Sequence, residues 1–135
     1  MFKAFAMALL AFGILDLIWL RLMSSRLYLP EIGSIMRAAP EWRAAAVFYG
    51  IYAFGMANLI ILPACASGYP ERALQSGAVL GLVAYATYNL TNMATLRGWS
   101  RKVTILDIAW GVCATALTCW AVTYAMVMLA TPEGA

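Results

Sequence analysis

The 135-residue sequence predicts an all-α fold, a four-helix transmembrane bundle with a short interfacial amphipathic helix between helices 1 and 2. Three observations predict it. Hydrophobic residues make up 64% of the chain and charged residues 11%, against about 45–50% and about 25% in soluble domains. The charges fall in short clusters that bracket four long charge-poor segments. The basic residues then concentrate in two of the intervening loops, as topology rules for membrane helices require. This composition excludes an ordinary soluble domain, a disordered segment and a nucleic-acid binder.

Residues 4–20 contain one acid, Asp16, and residues 44–69 contain no charge. Residues 73–96 are also uncharged, and residues 103–132 contain only Asp107. At about 1.5 Å rise per residue, roughly 17–25 residues cross the hydrocarbon. Four membrane helices are therefore expected at about 4–22, 44–66, 73–96 and 103–129 of a single domain. Each must be helical, because lipid cannot satisfy the backbone of a lone strand. Lys3 before an apolar run also fits a signal peptide. Asp16 interrupts that run and no small-x-small cleavage site follows, so the first segment is read as a span. Pro70 and Pro132 mark the ends of the second and fourth segments.

The loops after helices 1 and 3 hold Arg21, Arg26, Arg37, Arg43, Arg97, Arg101 and Lys102, while the other side holds Lys3 and Arg72. The positive-inside bias places both basic loops in the cytoplasm and both termini outside it. From Pro30, a favourable first helical residue, Ile32, Ile35, Met36 and Ala39 recur at helical spacing. Glu31, Ser34 and Arg37 take the opposite side, which predicts an interfacial helix over about 30–39 anchored by Tyr28 and Trp42.

Polar side chains inside hydrocarbon are costly and turn toward protein or water. Asp16 lies five residues before Arg21 and Asp107 five after Lys102, so both sit about 7–8 Å below the basic end of their helices. Asn89 and Asn92 on helix 3, and Tyr49 and Tyr52 on helix 2, reach nearly the same depth. Tyr85, Asn89 and Asn92 share one stripe at i, i+4 and i+7. Asp16–Trp19 and Asp107–Trp110 repeat an Asp-x-x-Trp spacing, pairing each carboxylate with an indole that donates one hydrogen bond. One use of such a layer is a ligand site. Asp16 and Asp107 would supply charge or a shared proton, Asn89 and Asn92 would orient the ligand, and Trp19, Tyr49, Tyr52, Tyr85 and Trp110 would line the walls. The other use is polar glue between helices. Gly77 and Gly81 form a GxxxG spacing that suits helix packing or a dimer face.

Several chemistries are excluded. The chain has no histidine, hence no histidine-based catalysis or ligation, and no metal-ligand cluster or nucleophile motif. Cys65, Cys113 and Cys119 lack CxxC spacing and read as small apolar residues. No cofactor and no metal are expected.

The strings Asp16-Leu17-Ile18-Trp19, Tyr28-Leu29-Pro30 and Phe48-Tyr49-Gly50-Ile51-Tyr52, with residues 81–92 and 104–111, are distinctive. In these the chain resembles a family of small four-helix bacterial membrane proteins catalogued as a domain of unknown function. The resemblance runs from helix 1 to helix 4 and implies a bacterial inner-membrane protein with no assigned activity. An aspartate is common in that family where this chain has Asn89, which puts a three-carboxylate cation site in doubt. Three functions remain open: binding or transport of a small molecule or ion, an accessory subunit of a larger membrane complex, and a lipid-modifying enzyme. The expected partners are the bilayer, an unidentified small molecule, and a second copy or a larger complex. The absence of a nucleophile motif weighs against an enzyme.

Overall fold

The computed structural model describes residues 1–130, in which every regular element is helical. Helix α1 spans Phe2–Met23 and α2 spans Trp42–Ser67. Helix α3 spans Pro70–Thr95 and α4 spans Arg101–Ala130. Pro132 lies outside the described residues.

Two prolines shape the chain without stopping it. A proline at position i lacks an N–H and its ring crowds the carbonyl of i−4. Pro30 meets the carbonyl of Arg26 and Pro63 that of Leu59, and both carbonyls lie in π-helical turns, Ser24–Tyr28 and Ala57–Ile61. The wider turns take up the clash, and the amides of Leu29 and Leu62 reach back to Ser24 and Ala57. Pro30 therefore does not begin a separate helix. The chain runs from α1 through the π turn into Leu29–Ile32 and a 3₁₀ turn, Gly33–Ile35. Helix stops there, short of residue 39: Met36 is extended, at φ −80° and ψ 150°. Gly33 is a weak helix former, and Pro40 disfavours helix at Ala39.

Two polar caps fix where α2 and α4 begin. The Glu41 carboxylate accepts from the amides of Arg43 and Ala44 and opens α2. Ser100 Oγ accepts from the amides of Lys102 and Val103 to open α4, and donates to Glu31 at 2.6 Å. Glu31 also pairs with Lys102 at 3.5 Å. The segment after α1 is thus tied to the start of α4, where Leu27, Ile32 and Val103 form a small buried cluster.

Three helices combine length with apolarity. Phe2–Ile35, Arg101–Ala130 and Trp42–Ser67 span 34, 30 and 26 residues, and their 18-residue apolar stretches reach mean hydropathy 2.0, 1.8 and 1.8. Of the four expected membrane helices, α3 is not among the three that combine length with apolarity. Its 26 residues reach about 39 Å, but Gln75, Ser76, Thr87, Asn89, Thr91 and Asn92 lower its hydropathy. Its outer face is nonetheless apolar, with Val79, Leu82, Val83 and Leu90 exposed.

The tertiary order around the bundle is α2, α1, α4, α3. Helices α3 and α4 pack along their length, because a Cβ at Gly81 would run into the Gly111 carbonyl and one at Gly77 would sit 2.9 Å from Ala116 Cα. The Gly77/Gly81 face is therefore occupied within the chain. A left-handed Gly68, φ 74°, closes α2 and turns it into α3. The half of α2 nearest this turn touches α1, α3 and α4, and supplies Ile60, Ile61 and Ala64 to a core with Ala8, Phe12, Ala114 and Cys119. The other half, Trp42–Met56, leans on α1 and diverges from α3.

Candidate functional site

The polar layer gathers where α1 and α4 cross. Asp16 and Asp107 are 7% and 8% exposed. Asp16 accepts from the Tyr49 hydroxyl at 2.5 Å and from Trp110 Nε1 at 3.1 Å. Asp107 accepts from the Tyr28 hydroxyl at 2.6 Å and from Asn89 Nδ2 at 2.6 Å. The Tyr28 oxygen in turn accepts from Trp19 Nε1 at 2.8 Å.

The indoles are therefore exchanged. Trp110, three residues after Asp107, serves Asp16, and Trp19, three after Asp16, reaches Asp107 through Tyr28. The two rings stack on each other, 4.6 Å between centroids and 4° between planes. The expectation that each indole serves its own helix's carboxylate is overturned. The N-terminal lean of a helical side chain would bring each indole to the aspartate three residues before it, but the stacked rings present their N–H groups to Asp16 and Tyr28 instead. No direct Asp16–Asp107 hydrogen bond occurs among the described residues. Each carboxylate has its own pair of donors.

The remaining predicted residues divide. Tyr49 and Asn89 bond the aspartates directly. Tyr85 does not, but its ring covers Gly111 and meets Tyr52 edge-on, 6.4 Å between centroids. Tyr52 points into the core, with its hydroxyl 2.7 Å from Thr115 Oγ1. Asn92 lies beside Tyr88 and reaches neither carboxylate. A stripe at i, i+4 and i+7 drifts around a helix, and Asn92 has rotated past the α4 contact.

Tyr28 is the residue that sequence reasoning placed elsewhere, at the membrane interface. Its height in the chain suggests an anchor, and only the π turn folds it back onto Asp107. Its adjacency to Pro30 was the available signal, since a proline inside continuing helix calls for a widened turn.

A cavity of about 1420 Å³ opens toward the arginine-bearing end. Asp16, Asp107, Tyr28, Tyr49 and Tyr85 line its deep part, and Leu17, Leu20, Ile35, Phe48 and Ala84 give it apolar walls. The exposed Arg21 and Arg97 also border it. Among the described residues no group of three or more His, Cys, Asp or Glu could hold a metal ion.

Residues 1–124 match the model of a family described as predicted membrane protein (DUF2177). The chain belongs to this family. No curated protein and no solved structure matches it. As a member of DUF2177 it is a membrane protein of a family without assigned function, and its apolar outer surface contacts lipid.

Proposed function

We propose that this DUF2177 member binds a small molecule in the cavity between α1, α2, α3 and α4, in a bacterial inner membrane with the arginine-rich loops facing the cytoplasm. One observation carries the reading. Two buried carboxylates border a single cavity, and among the described residues each is bonded only by neutral donors. Carboxylates used as glue between helices need no cavity, and unpaired charges in a dry interior are strongly unfavourable. An open site that receives a ligand or protons gives both acids a use.

A second structural feature favours binding within one chain over an accessory role. The glycine face that suited docking onto another subunit is filled by α4. Thermal unfolding in detergent tests the proposal, with a panel of inorganic cations, small metabolites and amphiphiles. At least one compound is expected to raise the midpoint of the wild type, and Asp16→Asn and Asp107→Asn to abolish that rise. A panel that moves no midpoint, or moves all three proteins equally, removes the support for a ligand site.

A further inference from the structure

The cavity combines features that narrow its occupant. Its deep end is acceptor-rich: Asp16 and Asp107 have no cationic partner, and the one ion pair among the described residues is Glu31–Lys102, elsewhere. Behind the lining, Asn89 is 0% exposed and is not itself a wall residue; it donates its amide N–H groups to Tyr85 O and Asp107 and holds that carboxylate in place. Aromatic rings of Tyr28, Tyr49, Tyr85 and Phe48 surround the same end. Among the described residues no group of three or more His, Cys, Asp or Glu side chains gathers at this end, and acid oxygens beside aromatic faces suit an ammonium group.

The volume and the shape add to this. At about 1420 Å³ the cavity exceeds the roughly 300–1,000 Å³ of ordinary ligand pockets. It is also open to one side. Tyr52 meets Tyr85, but beyond that pair Ala45 and Phe48 of α2 face Ala84, Thr87 and Tyr88 of α3 across the cavity. Phe48 and Tyr88 are exposed along this gap, which lies between the charge-free stretches 44–69 and 73–96.

We infer that the occupant is an amphiphile bearing a positively charged nitrogen, which enters sideways from the bilayer between α2 and α3 and places that nitrogen between Asp16 and Asp107. This rests on the binding function proposed above and specifies its ligand. The apolar body lies along Leu17, Leu20 and Phe48, and Arg21 and Arg97 face any anionic group at the mouth. Two sources share this chemistry: an aminophospholipid of the surrounding leaflet and a free lipophilic amine.

The full chain in phosphatidylglycerol nanodiscs, a lipid without nitrogen, is titrated with tritiated dodecyltrimethylammonium, and empty discs are subtracted. Saturable binding is expected, at least tenfold weaker in Asp16→Asn and in Asp107→Asn and unchanged in Leu117→Ala on the outer face of α4. Ala45→Trp, which fills the gap between α2 and α3, is expected to block binding with both acids intact, so the inference remains testable if the Asn variants fail to fold. Displacement by phosphatidylethanolamine in the discs assigns the leaflet lipid, and displacement only by free dodecylamine assigns a free amine. Equal binding in folded Asn variants, full binding in Ala45→Trp, or equal displacement by dodecanol overturns the inference. If dodecyl phosphate or dodecanol binds instead and Ala45→Trp blocks it, the ligand class falls while a binding cavity survives. If none of these probes binds above empty discs, both fall.

Discussion

Trp110 gives its indole proton to Asp16, on another helix, and not to Asp107 one turn away on its own. Trp19 mirrors this through Tyr28, and the two rings stack on each other. The arrangement ties α1 to α4 by two polar arms and one aromatic contact, and its Asp16, Tyr28 and Asp107 line the cavity. The same residues that border the cavity thus also hold the bundle together, and substitutions there carry structural as well as binding consequences.

The stacked pair is expected to be energetically coupled. Offset aromatic contacts contribute about 0.5–1.5 kcal/mol beyond area burial. A double-mutant cycle of Trp19→Leu and Trp110→Leu, read by chemical unfolding in detergent, is predicted to give a coupling energy in that range. Additive effects would show that the rings merely lie side by side.

Tyr28 and Tyr49 each donate to an aspartate, but Tyr28 also accepts from Trp19. Tyr28→Phe strands the half-buried Trp19 indole N–H and removes the donor to Asp107 Oδ1, at a cost of about 1–3 kcal/mol. Tyr49→Phe removes the donor to Asp16 Oδ2 but leaves Trp110 on Oδ1 and strands no N–H. Tyr28→Phe should therefore destabilise more than Tyr49→Phe in thermal melts, and the reverse order contradicts the relay geometry.

The α3–α4 contact depends on the absence of side chains at Gly81 and Gly111. Each has backbone or an aromatic ring where a Cβ would go, so neither neighbour gives way cheaply. Gly81→Ala and Gly111→Ala are predicted to lower stability by about 1–3 kcal/mol. Gly13→Ala, with open space around it, is the control and should be neutral or mildly stabilising. Equal melting of all three variants would refute the close crossing.

Ser100 caps α4 and holds Glu31 at the same time. Loss of a helix cap costs about 0.5–2 kcal/mol, so Ser100→Ala should destabilise by that amount. It should also free the segment after α1, seen as faster amide exchange over residues 29–35. Unchanged exchange there would mean that the cluster of Leu27, Ile32 and Val103 holds the segment without the cap.

Helix α3 is the least apolar of the four, and its crossing can be tested directly. In a cysteine-free background, Arg37→Cys and Arg97→Cys should react with an impermeant maleimide from one side of the membrane. Glu71→Cys should react from the other. Labelling of Arg97→Cys and Glu71→Cys from the same side would mean that α3 does not cross.

Much of this molecule was readable from residue order alone, for one physical reason. In hydrocarbon a charge is so unfavourable that the charge-free runs mark the apolar helices and the basic clusters mark their ends. A rise of about 1.5 Å per residue then sets the height of Asp16, Asn89 and Asp107. Height and stripe are properties of a single helix. Which neighbour a side chain meets is not, because it depends on how four helices rotate and pack against one another. Only that packing exchanges the indoles of Trp19 and Trp110, folds Tyr28 under Asp107 and turns Asn92 away. It also spends the Gly77/Gly81 face within the chain and leaves α2 and α3 apart beside the two acids.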